Sequence, residues 1–166
     1  MATESEVKKR ARAATLGAPT GSFKTIGIWI GDQLFAVREP TVREHGEIMK
    51  SASEALASGK SDINISKLRV AAVIKCTCVG EQLKDGDGNP MTETVPLLDT
   101  HGKPLLDENG QPKTTTRPMV KAGERVFDDA DTAALLDQPV SSFIDQLASP
   151  AMTLVNAKTE DARKSS

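Results

Sequence analysis

Asp85, Asp87 and Asn89 stand at alternate positions in DGDGNP, the spacing at which a calcium loop places its first three oxygen ligands. Such a loop also needs Gly at its sixth position, for a sharp turn, and a bidentate Glu at its twelfth. Here those positions are Pro90 and Pro96, so the register fails where the geometry is least negotiable. Other reactive groups are sparse. His45 and His101 are far apart and neither belongs to a visible nucleophile–base pair. Cys76 and Cys78 lie in an apolar run, too close for an ordinary disulfide and without histidines to complete a zinc site. They read as buried thiols in a reducing compartment. The chain is therefore expected to be non-enzymatic, with no catalytic residue, no metal site and no cofactor.

Aligning the same stretch with itself gives a better description. Asp85, Gly88 and Pro90 recur as Asp99, Gly102 and Pro104, then as Asp107, Gly110 and Pro112, a D-x-x-G-x-P unit present three times. Asp opens a turn through its side chain, Gly supplies positive φ, and Pro starts an extended piece that need not donate to a ladder. Val95, Leu97 and Leu98, with Leu105 and Leu106, lie between the turns. The segment 81–125 reads either as an insertion carrying a small β arm or as a flexible surface loop.

The elements around it follow from periodicity. Residues 24–40 alternate Ile26, Ile28 and Ile30, turn at Gly31 and Asp32, and return through Phe35 and Val37 as a hairpin. Trp29 points away from the isoleucines, as a second-layer core residue by preference, or else as an exposed anchor for a partner. Thr41 and Glu44 have capping-box spacing before a helix with Val42, His45, Ile48, Met49, Ala52, Ala55 and Leu56 on one stripe and Gly59 as its C-terminal cap. A second helix spans 66–78, capped by Asp62 or Asn64, although its Val and Ile content also suits a buried strand. Asp128 or Asp129 caps a short helix through Leu136. Pro139 opens another, with Val140, Phe143, Ile144 and Leu147 on its core stripe, and Ser149 and Pro150 mark a break or a fresh start.

At 166 residues, 38% of them hydrophobic and 3% aromatic, the chain supports one domain whose core rests on aliphatic side chains. A net charge of −2 argues against a general nucleic-acid binder, and no stretch approaches a membrane span. The basic cluster Lys8, Lys9, Arg10 and Arg12 lies in a Ser/Thr/Ala/Gly-rich N-terminus read as a disordered tail. The expected organisation is a flexible tail over 1–22, one domain over 23–157 interrupted by the 81–125 insertion, and a flexible tail over 158–166. The expected class is α+β, mainly α: an N-terminal hairpin followed by a small helical bundle, the insertion falling between the second and third helices.

FAVREPTVREHGEIMKSASEA, LRVAAVIKCTCVGE and ERVFDDADTAALLDQPVSSFIDQLASPAMTLVN, in that order, resemble the tail assembly chaperones of long-tailed bacteriophages; together they cover about half of the chain. The resemblance implies a small, mainly helical protein of the host cytoplasm, absent from the finished virion. Such a protein keeps the tape measure protein soluble and brings tail tube protein to it; self-association is left open, as is the binding surface. In that family the segment between the second and third pieces is a brief turn, whereas here it holds three turn units. The competing expectation is a structural virion protein, disfavoured because tube subunits are mostly β and only one hairpin is read with certainty here.

Overall fold

The computed structural model describes residues 2–15, 23–55, 59, 61–99 and 103–164. Thr25–Ile30 (β1) and Gln33–Arg38 (β2) form the expected hairpin, with Ile26 opposite Val37 and Ile28 opposite Phe35. Gly31, at φ 60°, takes the left-handed position of its two-residue turn. Val42–Ala52 (α2) begins at the capping box: the Glu44 amide donates to the Thr41 hydroxyl, and the Thr41 amide donates to the Glu44 carboxylate. The helix ends at Ala52 and not at Gly59, because Ser53–Ala55 (β3) turns extended and pairs with Ser61–Ile63 (β4). Leu56 and His101 lie outside the described residues.

Ile65–Cys76 (α3) is capped by Asn64, whose side chain accepts from the Lys67 amide. Leu68, Val70, Ala71, Ala72, Val73, Ile74 and Cys76 are all buried, so the helix is apolar on nearly every side and its sequence has no one-sided pattern. It runs without a loop into Thr77–Gln82 (β5), which takes Cys78 out of the expected helix. Beyond the insertion come Val120–Arg125 (β8), a 3₁₀ turn at Asp129–Asp131 capped by Asp128, and Thr132–Leu136 (α4). Pro139 lies in a turn instead of opening a helix. The last helix, Phe143–Lys164 (α5), runs uninterrupted through Pro150. The N-terminal segment contains Ala2–Thr15 (α1), exposed over residues 5–15.

The expected fold class is corrected by the pairing of these strands. The hairpin is half of a four-stranded antiparallel sheet of order β1-β2-β5-β8, and the described residues hold eight strands in three sheets beside five α-helices. The molecule is a mixed α+β fold and not a mainly helical bundle. The physical reason is local. TCVGEQ and VKAGER lack the clean alternation of a strand buried on one face, so only their tertiary partners reveal them. The expected insertion limits also cut through this sheet: residues 120–125 form its fourth strand, and Val120 is buried in the core.

The sheet separates two apolar clusters. On one face Ile26, Ile28, Ile30, Phe35 and Val37 meet α5, α3 and α2, with Ile48, Leu68, Ile144 and Leu147 in the same core and Phe143 packed at its margin. On the other, Leu34, Ala36, Cys78 and Val120 form a smaller cluster inside a curl of the sheet. The curl brings the outer strands together, and the Thr25 hydroxyl donates to the Val120 carbonyl across 3.2 Å. Glycine is required at the point of approach: a Cβ on Gly27 would stand 2.5 Å from the Pro118 carbonyl oxygen and 2.8 Å from a Val120 methyl.

A polar hub holds the helices to the sheet. Arg38 donates both terminal nitrogens to the Glu44 carboxylate at 2.9 Å, Arg125 approaches that carboxylate to 3.9 Å, and Arg125 also donates to the Ile74 carbonyl near the end of α3. Phe23 lies under the Arg38 guanidinium, 5.2 Å away. Burial pushes the Glu44 carboxyl upward, but the hydrogen bonds from Arg38 and Thr41 and the Arg38 charge outweigh it and hold its pKa at about 2 instead of 4.5.

Two outcomes test this account. Leu147, fully buried, should cost about 2–5 kcal/mol when changed to Ala, measured by denaturant unfolding, whereas Leu106→Ala on the exposed insertion should stay within about 0.5 kcal/mol. A folded-state pKa below the unfolded one gives Glu44 a stabilisation fully present above pH 4.5 and lost as pH falls towards 2. Urea midpoints recorded from pH 6 to about pH 2 should therefore fall more steeply in the wild type than in Glu44→Gln, which should be the less stable of the two at neutral pH.

Candidate interaction surface

The segment between β5 and β8 is ordered by its three repeats, each of which closes one tight hairpin. Asp85, Asp99 and Asp107 each accept at one carboxylate oxygen from an amide four residues on, those of Asn89, Lys103 and Gln111. The Asp87 and Asn109 amides donate to the same oxygens of Asp85 and Asp107. Gly88 and Gly110 sit at φ 81° and 77° and donate to the Asp85 and Asp107 carbonyls, a turn followed by a left-handed glycine. In each unit the residue before Asp bridges to the repeat proline: Lys84 to Pro90, Leu98 to Pro104, Leu106 to Pro112. The apparent calcium ligands are thus turn residues, and the Asp85 carboxylate is occupied by its own backbone.

These hairpins branch. Thr92–Pro96 (β6) and Thr114–Pro118 (β7) form an antiparallel stem in register from Thr92↔Pro118 to Pro96↔Thr114. At its base the Leu83 amide donates to the Met119 carbonyl, Met119 to Met91, and Met91 back to Leu83. At its tip the same ring recurs: Leu97 donates to Lys113, Lys113 to Leu105, and Leu105 to Leu97. Each ring is a three-way junction that satisfies one donor and one acceptor of all three strands meeting there, which is how a branched β structure avoids orphaned backbone groups. The result is a clover: one lobe at the base, a stem, and two lobes at the tip.

The arm displays exposed leucines among polar residues. Leu83, Leu97, Leu98, Leu105 and Leu106 are 37–58% exposed, whereas aliphatic side chains of the same kind are buried in the helical core. Trp29, expected by preference in a second core layer, is 50% exposed on β1 beside Leu34, because the curl of the sheet leaves the end of that strand uncovered. The D-x-x-G-x-P pattern located the turns. The junction rings had no signal in the sequence, since they involve only backbone groups.

The remaining sequence candidates lie away from the arm. His45 is half-buried on α2, its Nε2 buried without a partner. Cys76 and Cys78 are buried free thiols, and burial pushes Cys76 up to about 12, which makes its thiolate scarce. A groove of about 450 Å³ between α2, α3 and α4 has Ala71 and Ile74 in its lining and Lys75 on its rim. Lys75 is tied there to Glu47 at 2.9 Å and Asp129 at 3.6 Å. The Lys75 charge is thus engaged within the fold, and the arm, with its exposed leucines, is the candidate surface for a partner.

Changing Leu97, Leu98, Leu105 and Leu106 together to Ser should leave the melting temperature within about 2 °C of wild type, since all four are exposed and none belongs to the core clusters. It should also lower the fluorescence of a dye that binds exposed apolar surface.

Compared with family models, with curated proteins and with solved structures, the chain has no match.

Proposed function

We propose that this protein is a non-catalytic assembly chaperone that covers apolar surface on a partner through its branched arm. The observation that carries the reading is the arm: among the described residues of 83–119 none is buried, yet five leucines are presented there on a scaffold built from backbone hydrogen bonds. A long helix with an exposed apolar stripe aggregates unless something covers the stripe reversibly, and short, shallow apolar lobes suit that task. The engagement of Glu44 in the hub and the suppressed thiolate of Cys76 support a binding role over a chemical one.

Within that class, the resemblance in sequence supports the tape measure protein and the tail tube protein of a long-tailed phage as partners, in the host cytoplasm. Its three pieces form the hairpin-to-α2 junction, the α3–β5 unit and the α4–α5 end of the core. Co-expression with the tape measure protein of the same phage should raise its soluble fraction several-fold, and the four-Ser arm variant should lose that gain. Equal solubility with and without the protein would overturn the proposal.

One observation favours a second reading, a structural subunit of the virion. The argument against it was a shortage of strands, and the described residues hold eight. Mass spectrometry of purified particles separates the two: stoichiometric recovery supports the structural subunit, and absence supports the chaperone.

A further inference from the structure

The arm and the core are held together by different physics. The core closes on two clusters of fully buried side chains, whereas residues 83–119 contribute no buried side chain among those described. Their order rests on the five-residue β6–β7 ladder, three single bridges, the Asp-centred turns, two backbone rings and one ion pair between Arg117 and Glu93. Solvent reaches every one of these elements. Hydrogen bonds open to water contribute little net stability, and a two-stranded ladder without a covered face is marginal by itself.

The arm meets the core where β7 lies beside β1. Its root passes over β1 where Gly27 leaves space for the Pro118 carbonyl and the Val120 side chain, with Thr25 donating to Val120 alongside. Immediately inward, Gln82 pairs with Val120 in the sheet; immediately outward stands the ring of Leu83, Met91 and Met119. The two strands that enter the arm are therefore already paired before the arm begins, and losing the arm leaves that pairing in place.

We infer that residues 83–119 form a separate opening unit, hinged at the Leu83–Met91–Met119 ring and latched to β1 through Gly27, which opens and recloses while the sheet and helices stay folded. Elements with few buried contacts and exposed backbone hydrogen bonds open at low free energy, and segments that bind partners are drawn from that class. An arm of this kind presents its leucines in more than one arrangement and becomes fixed by what it binds. The opening itself needs no partner, so its test is independent of the chaperone reading.

Native-state hydrogen exchange on the full chain, resolved by mass spectrometry, provides the test. Amides of β6, β7 and the three lobes should exchange at least about a hundredfold faster than those of α3 and β2. In Arg117→Ala, which removes the stem's ion pair with Glu93, exchange in β6 and β7 should rise further while α3 keeps its wild-type rate. As an independent check, replacing residues 83–119 by a short Gly/Ser linker should leave a cooperative melting transition within a few degrees of wild type. Arm amides that exchange at the rate of α3, an Arg117→Ala variant in which all amides accelerate together, or a linker variant that no longer folds would each show arm and core to be one cooperative unit and overturn the inference.

Discussion

The core is organised around a single carboxylate. Glu44 completes the capping box that starts α2, takes both terminal nitrogens of Arg38 from β2, and faces Arg125, which reaches across from β8 to the Ile74 carbonyl of α3. A half-exposed ion pair at this place would contribute little. Here the side chains of Arg38 and Glu44 are only 15% and 12% exposed, so each depends on the other to remain charged at an acceptable cost. The strength of the pair matters less than its placement. A strand, two helices and the returning strand beyond the arm are all registered against one point, so α2 cannot slide along the sheet without stranding a buried charge.

That registration explains how a long excursion can be tolerated between β5 and β8. Arg125 is drawn to the hub, Val120 is drawn into the inner cluster of the curled sheet, and Gly27 and Gly80 remove the side chains that would block the curl. A Cβ on Gly80 would meet Leu34 and the backbone of Phe35 at 2.9 Å. Both ends of the excursion are thereby fixed by the core and not by its contents. Closing a longer loop between fixed ends adds little entropy cost, because that cost grows only with the logarithm of length.

Some of this was legible in the residues. Thr41 and Glu44, Asn64, and the alternating Ile26, Ile28 and Ile30 each state a local rule that the fold obeys. The D-x-x-G-x-P units at Asp85 and Asp107 likewise located their turns. What escaped was non-local. β5 and β8 become strands because each finds a neighbour: VKAGER lies far along the chain from TCVGEQ, and neither has a strong intrinsic pattern. Trp29 was misplaced for the same reason, since the curl that leaves it uncovered depends on a glycine and a proline more than ninety residues apart. The candidate surface was legible as turns and as apolar pieces between them. Its branching was not, because backbone amides closing a ring leave no trace in side-chain identity.

The two lobes at the tip of the arm are consecutive copies of one eight-residue unit, LLDTHGKP and LLDENGQP, and each lobe leaves and returns to the same junction. Because the strands of both lobes meet at that ring, the contents of a lobe can change without altering the separation of Gln82 and Val120. Ordinary insertions must be accommodated by the fold around them; these carry their own closure. The arm is therefore a place where the side chains on display can differ while the core beneath it is left unchanged.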